Sequence, residues 1–378
     1  MCEAVGAIFQ MEANEDLATR CFLPRRLGGL GFTRHHGMAT EKNQIMSRVA
    51  FLSFLSDYFP TAVQATQTQY DLSAVRLGTV EDLTGATAIT ELAMNTLTLK
   101  NCGGVLSTGI NKGFKKNRDR LHVQLLTAAR YSCAAYLLSA SESSTSFLFS
   151  TMGLGHEGYF GIAEFRCAGR AKLGAGPSNE LEGTELLCNC RKTYDPLEYP
   201  FHAMSCSLNK GFRTRRHNDI RDLLFKLLRK RNPDLSNDSL KLEFVVGQTE
   251  GGEREVRADI FWRDEAANVI IDIACVDPGC HQYLQWESFK EADAAARYME
   301  WVKHQHYKKV VLPARLPVNS VYPFVIEASG RLGPTALSLL NRICGTQTFL
   351  KSMFLREVAL ITARYMGVML KSTRDQRL

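Results

Sequence analysis

The sequence of 378 residues contains no run of 18 or more apolar residues, so we expect no membrane-spanning helix. The first four residues, MCEA, lack the basic-then-apolar order of a secretory signal. Internal repeats and low-complexity tracts are also missing. An apolar content of 45% and a charged content of 22% are ordinary for globular proteins, and the length allows two or three domains.

Disulfide bonds are not expected either. The 11 cysteines are odd in number and irregularly spaced, which favours free thiols or metal ligands in a chain without a secretory signal. The net charge of +7 is concentrated in clusters at 112–120, 210–216 and 226–231. Such clusters suit a polyanionic partner, although solvated helix faces give the same pattern.

The order of apolar and polar residues predicts a helical N-terminal region over 1–175, with helices at 41–58, 86–99 and 119–140. Residues 172–187 form an expected linker. From about residue 216 the pattern predicts a mixed α/β domain. Its expected elements are a helix at 216–231, strands at 241–247, 254–262 and 268–276, a helix at 284–306, strands at 309–313 and 322–327, and closing helices.

Three cysteines and one histidine lie within a span of 19 residues, at Cys188, Cys190, His202 and Cys206. Three thiols and an imidazole can complete a tetrahedral Zn²⁺ site. The segment holds few apolar residues, so we expect it to need a metal for stability. Incidental cysteines near a domain boundary are the alternative interpretation. The basic segment 213–218 follows directly, where a nucleic-acid backbone could lie.

Two aspartates stand within predicted strands. Asp272 interrupts the apolar run 269–276, which is typical of a central strand covered on both faces, and Asp259 lies in the strand before it. A buried carboxylate costs several kcal/mol unless it is paired. Paired carboxylates on adjacent strands predict a Mg²⁺ or Mn²⁺ site of the kind that nucleases use.

Many nucleases place a lysine two residues after the second carboxylate, but Ala274 occupies that position here. Helical spacing puts Lys303 on one stripe with Ala292, Ala296 and Met299, the face expected to pack on the sheet. Lys303 can therefore approach the aspartates, and Tyr307 lies one turn further on. Two alternatives remain open: a purely structural Asp–Lys pair, and a Lys303 side chain that reaches solvent at the helix end.

Taken in order, these motifs resemble the C-terminal part of non-LTR retrotransposon polyproteins that carry a restriction-like endonuclease. The resemblance rests on the Cys/His motif, the Arg216-His217-Asn218 triplet, the two aspartates, and the spacing of Lys303 and Tyr307. Residues 323–333 are similar to the segment that follows the nuclease core. Residues 23–31 resemble the region after the reverse-transcriptase palm. Ala258 departs from the family pattern, which has proline before the first aspartate.

The resemblance implies four parts. They are a post-palm or thumb-like helical region at 1–175, a zinc knuckle at 186–210, a PD-(D/E)xK restriction-endonuclease-like domain at 211–345 and a C-terminal helix at 346–378. It implies Zn²⁺ bound by the four Cys/His residues and Mg²⁺ or Mn²⁺ bound by Asp259 and Asp272. Lys303, with Tyr307, completes the implied catalytic set. Whether Glu243 adds a third carboxylate or caps a strand stays open. The implied nucleic-acid contacts are Arg213, Arg215, Arg216, His217 and Asn218.

By the same resemblance we expect a nuclear DNA endonuclease that leaves a 3′-hydroxyl, with element RNA as a second partner. The polymerase signature Tyr/Phe-x-Asp-Asp is missing, so a fragment of such an element without its own polymerase is expected. The alternatives are a catalytically silent nucleic-acid-binding remnant and a structural domain with no nucleic-acid role. The sequence sets neither the target site nor the oligomeric state.

Overall fold

The chain folds, in a computed structural model, as a mixed α+β protein. The structure describes residues 122–123, 126–127, 129–141, 161–174, 186–188, 190–195, 199–249, 255–264, 267–311 and 321–375. The helices expected at 41–58 and 86–99, the segment 23–31 and most of the linker at 172–187 lie outside these ranges. No helix in the described ranges is long and apolar enough to cross a membrane.

The described helices run from the N-terminal region to the C-terminus. They are α1 (Tyr131–Ser139), α2 (Ile162–Lys172), α3 (His202–Ser205), α4 (Lys210–Arg231), α5 (His281–Leu284), α6 (Ala294–Lys308), α7 (Pro334–Cys344) and α8 (Thr348–Asp375).

The strands form a two-stranded hairpin and a separate five-stranded sheet. They are β1 (Leu186–Leu187), β2 (Thr193–Tyr194), β3 (Leu240–Thr249), β4 (Glu255–Arg263), β5 (Asn268–Val276), β6 (Val310–Val311) and β7 (Val321–Glu327). The larger sheet has the order β6-β3-β4-β5-β7, in which only the β5–β7 pair is parallel. The sequence predicted these five strands to within about two residues at most ends.

Helices cover both faces of the larger sheet. Helices α4, α7 and α8 bury one core against β4, β5 and β7, with Leu224, Ile271 and Phe324 at its centre. Helix α6 covers the other face, where Ala295 and Ala296 pack on Val325. Strand β5 is therefore buried along most of its length, as its apolar run predicts.

The helix expected at 284–306 is wrong at its start. Helix α6 begins at Ala294, because Glu287 and Asp293 adopt left-handed backbone angles (φ 59° and 64°) that a right-handed helix cannot include. The expected packing face is otherwise present, since Ala296 is buried and Met299 packs beside it.

A second core joins parts of the chain that the sequence assigned to separate domains. Tyr136 of α1, Cys167 of α2, Phe201 near α3 and Met366 of α8 pack together in one apolar cluster. Gly367 of α8 lets the helix approach α2 so closely that a Cβ atom would lie 2.3 Å from a backbone oxygen of α2. The described parts of these segments therefore pack as one body.

Carboxylates from neighbouring elements cap the starts of α6 and α7, whose own N-cap residues make no side-chain cap hydrogen bond. Glu327, at the end of β7, accepts a hydrogen bond from the Ala296 N–H of α6 at 3.3 Å. Glu300 of α6 accepts hydrogen bonds from both the N–H and the hydroxyl of Thr335 in α7, each at 2.9 Å. Helix N-termini favour negative charge, so these contacts fix α6 and α7 relative to β7.

The pKa of Glu327 provides a test of this arrangement. The side chain is 1% exposed, and burial raises its pKa to about 7. The unfolded chain loses this proton near pH 4.5, so wild-type stability falls as the pH rises from there to about 7. Glu327→Gln cannot lose a proton, and its stability relative to wild type should rise over that interval by on the order of 2 kcal/mol. Thermal melts from pH 4 to pH 8 measure this difference. The exposed Glu255→Gln is the control, and a difference that stays constant with pH would contradict the prediction.

Candidate metal centres

The two aspartates of the sequence prediction face each other on neighbouring strands. Strands β4 and β5 pair antiparallel as far as Ile260 opposite Ile271, and each aspartate is the next residue beyond this pair on its own strand. Asp272 projects on the face that α6 covers, where Lys303 contacts it, and the Asp259 carboxylate lies close enough to raise the pKa of Asp272. Their side chains are 12% exposed each.

Helix α4 supplies the partner of Asp259. His217 Nε2 lies 3.2 Å from Asp259 Oδ2, and the Ile273 N–H donates a hydrogen bond to the same oxygen at 2.6 Å. On its other side, His217 Nδ1 lies 3.2 Å from Asn218 Oδ1. An imidazole between two oxygen acceptors is best satisfied in the protonated form.

Helix α6 supplies the partner of Asp272. Lys303 Nζ lies 3.0 Å from Asp272 Oδ1 and 2.9 Å from Oδ2, so the ammonium group contacts both carboxylate oxygens. The structure thus brings Lys303 to the second aspartate, as the helical stripe predicted. Because 26% of the lysine side chain is exposed, the pair opens to solvent on one side.

The pKa values of the two aspartates move in opposite directions. Burial works against ionisation of Asp259, but the His217 hydrogen bond and charge, together with the Ile273 N–H, lower its pKa. Burial raises the pKa of Asp272, and the charge of Asp259 adds to this, although Lys303 opposes both. The Asp259 hydrogen bond raises the pKa of His217 despite burial. At Asp259 the contacts with His217 and Ile273 therefore outweigh burial, whereas at Asp272 burial outweighs the contact with Lys303.

Tyr307 lies in the core beside the two aspartates, one turn beyond Lys303. Its side chain is 1% exposed and packs with Phe261, Ile270 and Val321. Burial and the charges of Asp272 and Asp259 raise its pKa. A hydrogen bond with Asp272 adds to this rise, so Tyr307 contacts the second aspartate from within the core.

Glu243 of β3 lies next to Asp259 in the sheet, but its carboxylate forms an ion pair with an arginine of α4. The β3–β4 register, with Leu242 opposite Ile260 and Phe244 opposite Ala258, places Glu243 across from Asp259. Its φ of 50° is left-handed, and its half-exposed carboxylate forms an ion pair with Arg221 of α4. Glu243 lies within β3 and not at its end, so it does not cap the strand, and whether it joins a metal site stays a prediction.

The arginines expected to contact nucleic acid differ in exposure. Arg215 is exposed, its guanidinium lying 5.9 Å from the centre of the Phe212 ring, and Arg213 is half-buried. Arg216 is 2% exposed, and its Nε and Nη1 atoms have no hydrogen-bond partner. Arg216 therefore lies inside the protein, and the expectation of a surface contact is corrected for this residue.

His217 and Asn218 were expected to contact a nucleic-acid backbone, yet they are directed at Asp259 and at each other. A signal for this was present in the sequence. His217 precedes Ile220 by three residues and Leu224 by seven, which places it on the buried face of α4.

The four Cys/His residues converge on one point. Cys188 and Cys190 lie in the turn of the β1–β2 hairpin, where Arg191 adopts a φ of 66° and its N–H bonds the Cys188 carbonyl. His202 begins α3, and Cys206 follows its end. The four candidate ligand atoms all lie within 4.8 Å of one another, and this is the one such group in the described residues.

The distances fit a tetrahedral metal site. Cys188 Sγ lies 3.7 Å from Cys206 Sγ, and Cys190 Sγ lies 3.3 Å from His202 Nε2. A tetrahedral Zn²⁺ with Zn–S bonds of about 2.3 Å would separate two sulfurs by about 3.8 Å. A disulfide requires about 2.05 Å, so the sulfur separation fits a shared metal instead. These residues could therefore bind a metal such as zinc.

Asn209 connects this cluster to the rest of the molecule. Its buried amide donates hydrogen bonds to the Ala203 carbonyl at 2.9 Å and to the Met369 carbonyl at 3.3 Å. Its oxygen accepts a hydrogen bond from Ser372 at 2.9 Å. Asn209 stands directly before α4, so the cluster, α8 and the start of α4 are held together.

Comparisons with known proteins add no assignment. No protein-family model matches the chain, and no curated protein is significantly similar to it in sequence.

Metal analysis tests the Cys/His cluster. Protein purified without chelator should contain about one Zn²⁺ per chain, because a tetrahedral site uses all four ligands. Cys190→Ser should lose the metal and melt at a lower temperature, since the small hairpin has little apolar core of its own. Cys133→Ser, outside the cluster, should keep the full stoichiometry. Metal-free protein with an unchanged melting temperature in Cys190→Ser would exclude the site.

Proposed function

We propose that this chain is a metal-dependent DNA endonuclease of the kind found in non-LTR retrotransposon polyproteins, which nicks DNA and leaves a 3′-hydroxyl. The observation that carries the proposal is the convergence of Asp259, Asp272 and Lys303 from two strands and a helix. A PD-(D/E)xK-like core with its lysine moved to a helix accounts for this arrangement. A nuclear location and element RNA as a second partner belong to the same proposal.

The two carboxylates suit a divalent cation. Burial and mutual repulsion raise the pKa of Asp272 even though Lys303 contacts both of its oxygens. A divalent cation beside the two carboxylates would favour their ionised forms and oppose the effect of burial. Asp259 and Asp272 would hold Mg²⁺ or Mn²⁺, hard cations that prefer oxygen ligands. When bound, such an ion supplies a polarised water and offsets charge on the scissile phosphate.

The residues of the chain then have separate roles. Lys303 neutralises Asp272 and places an ammonium group where the attacking water and a phosphate oxygen would meet. The His217 hydrogen bond holds Asp259 in its ionised form, and Asn218 orients the imidazole. In the reaction, a water oxygen bonds to phosphorus and the P–O3′ bond breaks. The proton lost by the water balances the proton gained by the leaving 3′ oxygen.

The DNA backbone would lie along the exposed basic side of α4. Lys226 and Lys230 stand 11 and 15 residues after Arg215, which places all three within about 60° around the helix axis. All three side chains are exposed. In this proposal the Cys/His cluster is a zinc knuckle that orders the N-terminal end of the same helix.

A second candidate function is a nucleic-acid-binding remnant that does not cleave. One observation favours it: Lys303 engages both oxygens of Asp272. A structural ion pair with no catalytic role would show the same two contacts. The two candidates differ in whether adding Mg²⁺ or Mn²⁺ produces nicks in supercoiled plasmid.

Replacing Asp272 by Asn distinguishes the candidates. The change keeps side-chain shape but removes the charge, so nicking with Mg²⁺ or Mn²⁺ should fall by at least 100-fold while DNA affinity is kept or increased. Asp264→Asn makes the same chemical change at the other end of the β4–β5 hairpin, where Asp264 pairs with Arg342. This control should nick normally. A wild-type protein that binds DNA but never nicks it would leave the remnant as the better candidate.

Salt dependence tests the basic side of α4. Arg215→Ala with Lys226→Ala should weaken binding to all duplex sequences alike. The slope of log affinity against log salt should flatten by roughly one for each lost phosphate contact. Arg257→Ala removes an exposed arginine that pairs with Glu255 on β4 and serves as the control. An unchanged slope in the α4 variant would place the DNA on another surface.

A further inference from the structure

Three stacked aromatic rings form a surface that the candidate centres do not use. Trp286 stacks on Tyr298 with ring centres 4.7 Å apart, and Tyr298 stacks on Trp301 at 5.9 Å, with interplanar angles of 27° and 29°. We call Trp286, Tyr298 and Trp301 the aromatic platform. The two tryptophans at its ends are 55% and 53% exposed.

The platform is held rigidly. Its middle ring, Tyr298, meets the edge of Tyr283 at 6.0 Å, and Tyr283 is buried. Tyr298 and Trp301 both project from α6, whose start is fixed by Glu327. Large aromatic side chains usually become buried on folding. Two half-exposed tryptophans at the ends of one stack therefore indicate a binding surface.

Two exposed cations of α6, Arg297 and Lys308, lie on the same side of the helix as the platform, whereas Lys303 lies on the opposite side and binds Asp272. The one acidic residue between Arg297 and Lys308, Glu300, is buried against Thr335. Before α6, Glu287 pairs with Lys290. Helical spacing places Arg297 and Lys308 within about 40° of Trp301 around the axis. Flat rings and cations consequently share one exposed face, although Arg297 also pairs with Glu291 and Asp293.

We propose that the aromatic platform binds unpaired bases of a single-stranded nucleic acid, with the cations of α6 beside its phosphates. Aromatic side chains offer stacking faces that every base can use. In a duplex those faces are covered by neighbouring bases, so the platform selects single strands. Single-stranded DNA and RNA share this chemistry.

The position of the platform suits the proposed function, on which this inference rests only in taking nucleic acid as the partner. Lys303 follows Trp301 by two residues, which points it to the opposite side of α6, toward Asp272. A strand stacked on the platform would therefore run over the helix that borders the candidate catalytic site. Stacking itself requires neither cleavage nor a divalent cation.

Intrinsic fluorescence gives a direct measurement, because two of the three tryptophans belong to the platform and the third, Trp262, is buried. Oligothymidylate and oligouridylate are titrated separately in the presence of EDTA. We expect each to quench the fluorescence, and their relative affinities identify DNA or RNA as the preferred strand. An abasic oligonucleotide of the same length and charge should produce little quenching.

Variants separate stacking from charge. Trp301→Ala should weaken oligothymidylate binding by about tenfold, the loss typical of one stacked base. Trp301→Phe should recover most of the affinity, and a melting temperature close to that of wild type would show that Trp301→Ala is folded. Phe349→Ala removes an aromatic ring that is 72% exposed on α8 and should bind like wild type.

Three results would overturn the inference. They are equal binding of the abasic strand, unchanged binding by Trp301→Ala, and a wild-type dimer that Trp301→Ala dissociates, which would assign the surface to a second copy of the chain. The nicking assay tests the endonuclease proposal separately from the platform. A protein that binds oligothymidylate through Trp301 but never nicks plasmid refutes only the endonuclease, and one that nicks without this binding refutes only the platform.

Discussion

The packing around the larger sheet depends on how two carboxylates are accommodated between a sheet and its covering helices. Asp259 and Asp272 lie beside each other on β4 and β5, where burial opposes the ionisation of both and the charge of Asp259 opposes that of Asp272. An unpaired buried carboxylate costs several kcal/mol, a large fraction of the stability of a domain. Helix α4 brings His217 to one carboxylate and helix α6 brings Lys303 to the other. The two helices are thereby tied to the central strands by charge as well as by apolar packing.

The position of His217 extends this constraint to the Cys/His cluster. Asn209 bonds the backbone of α3 and of α8 immediately before α4 begins, so the start of α4 is fixed by the segment that carries Cys206. Two turns later the same helix presents His217 to Asp259. A metal that orders the cluster would therefore also order the helix that supports the first aspartate. The hairpin is too small to be ordered by apolar burial alone.

Much of this arrangement could be predicted from periodicity. The apolar run in β5 and the alternation in β4 gave both strands, and helical spacing alone placed Lys303 on the face toward the sheet. The spacing of the three cysteines and His202 in the sequence likewise predicted that they would form a cluster. The sequence pattern could not predict where α6 starts. Glu287 and Asp293 adopt left-handed backbone angles, and neither position holds a glycine, the residue that usually marks such angles. Helical spacing does distinguish Arg216, which lies four and eight residues before Ile220 and Leu224 and is buried, from the exposed Arg215, a signal that the sequence analysis did not use.

Helix α6 shows why those tertiary details matter. Its start is capped by Glu327, its middle caps α7 through Glu300, and Lys303 reaches Asp272 from its inner side. Trp301 lies on its outer side, in the stacked rings. Apart from the Tyr298–Trp301 stack, these contacts join residues far apart in sequence, yet all depend on the placement of one helix of 15 residues. Because Ala295 and Ala296 are fully buried against the sheet, the helix cannot slide without opening voids in a close-packed core. The lysine and the aromatic rings are therefore held at a fixed separation on opposite sides of one rigid element.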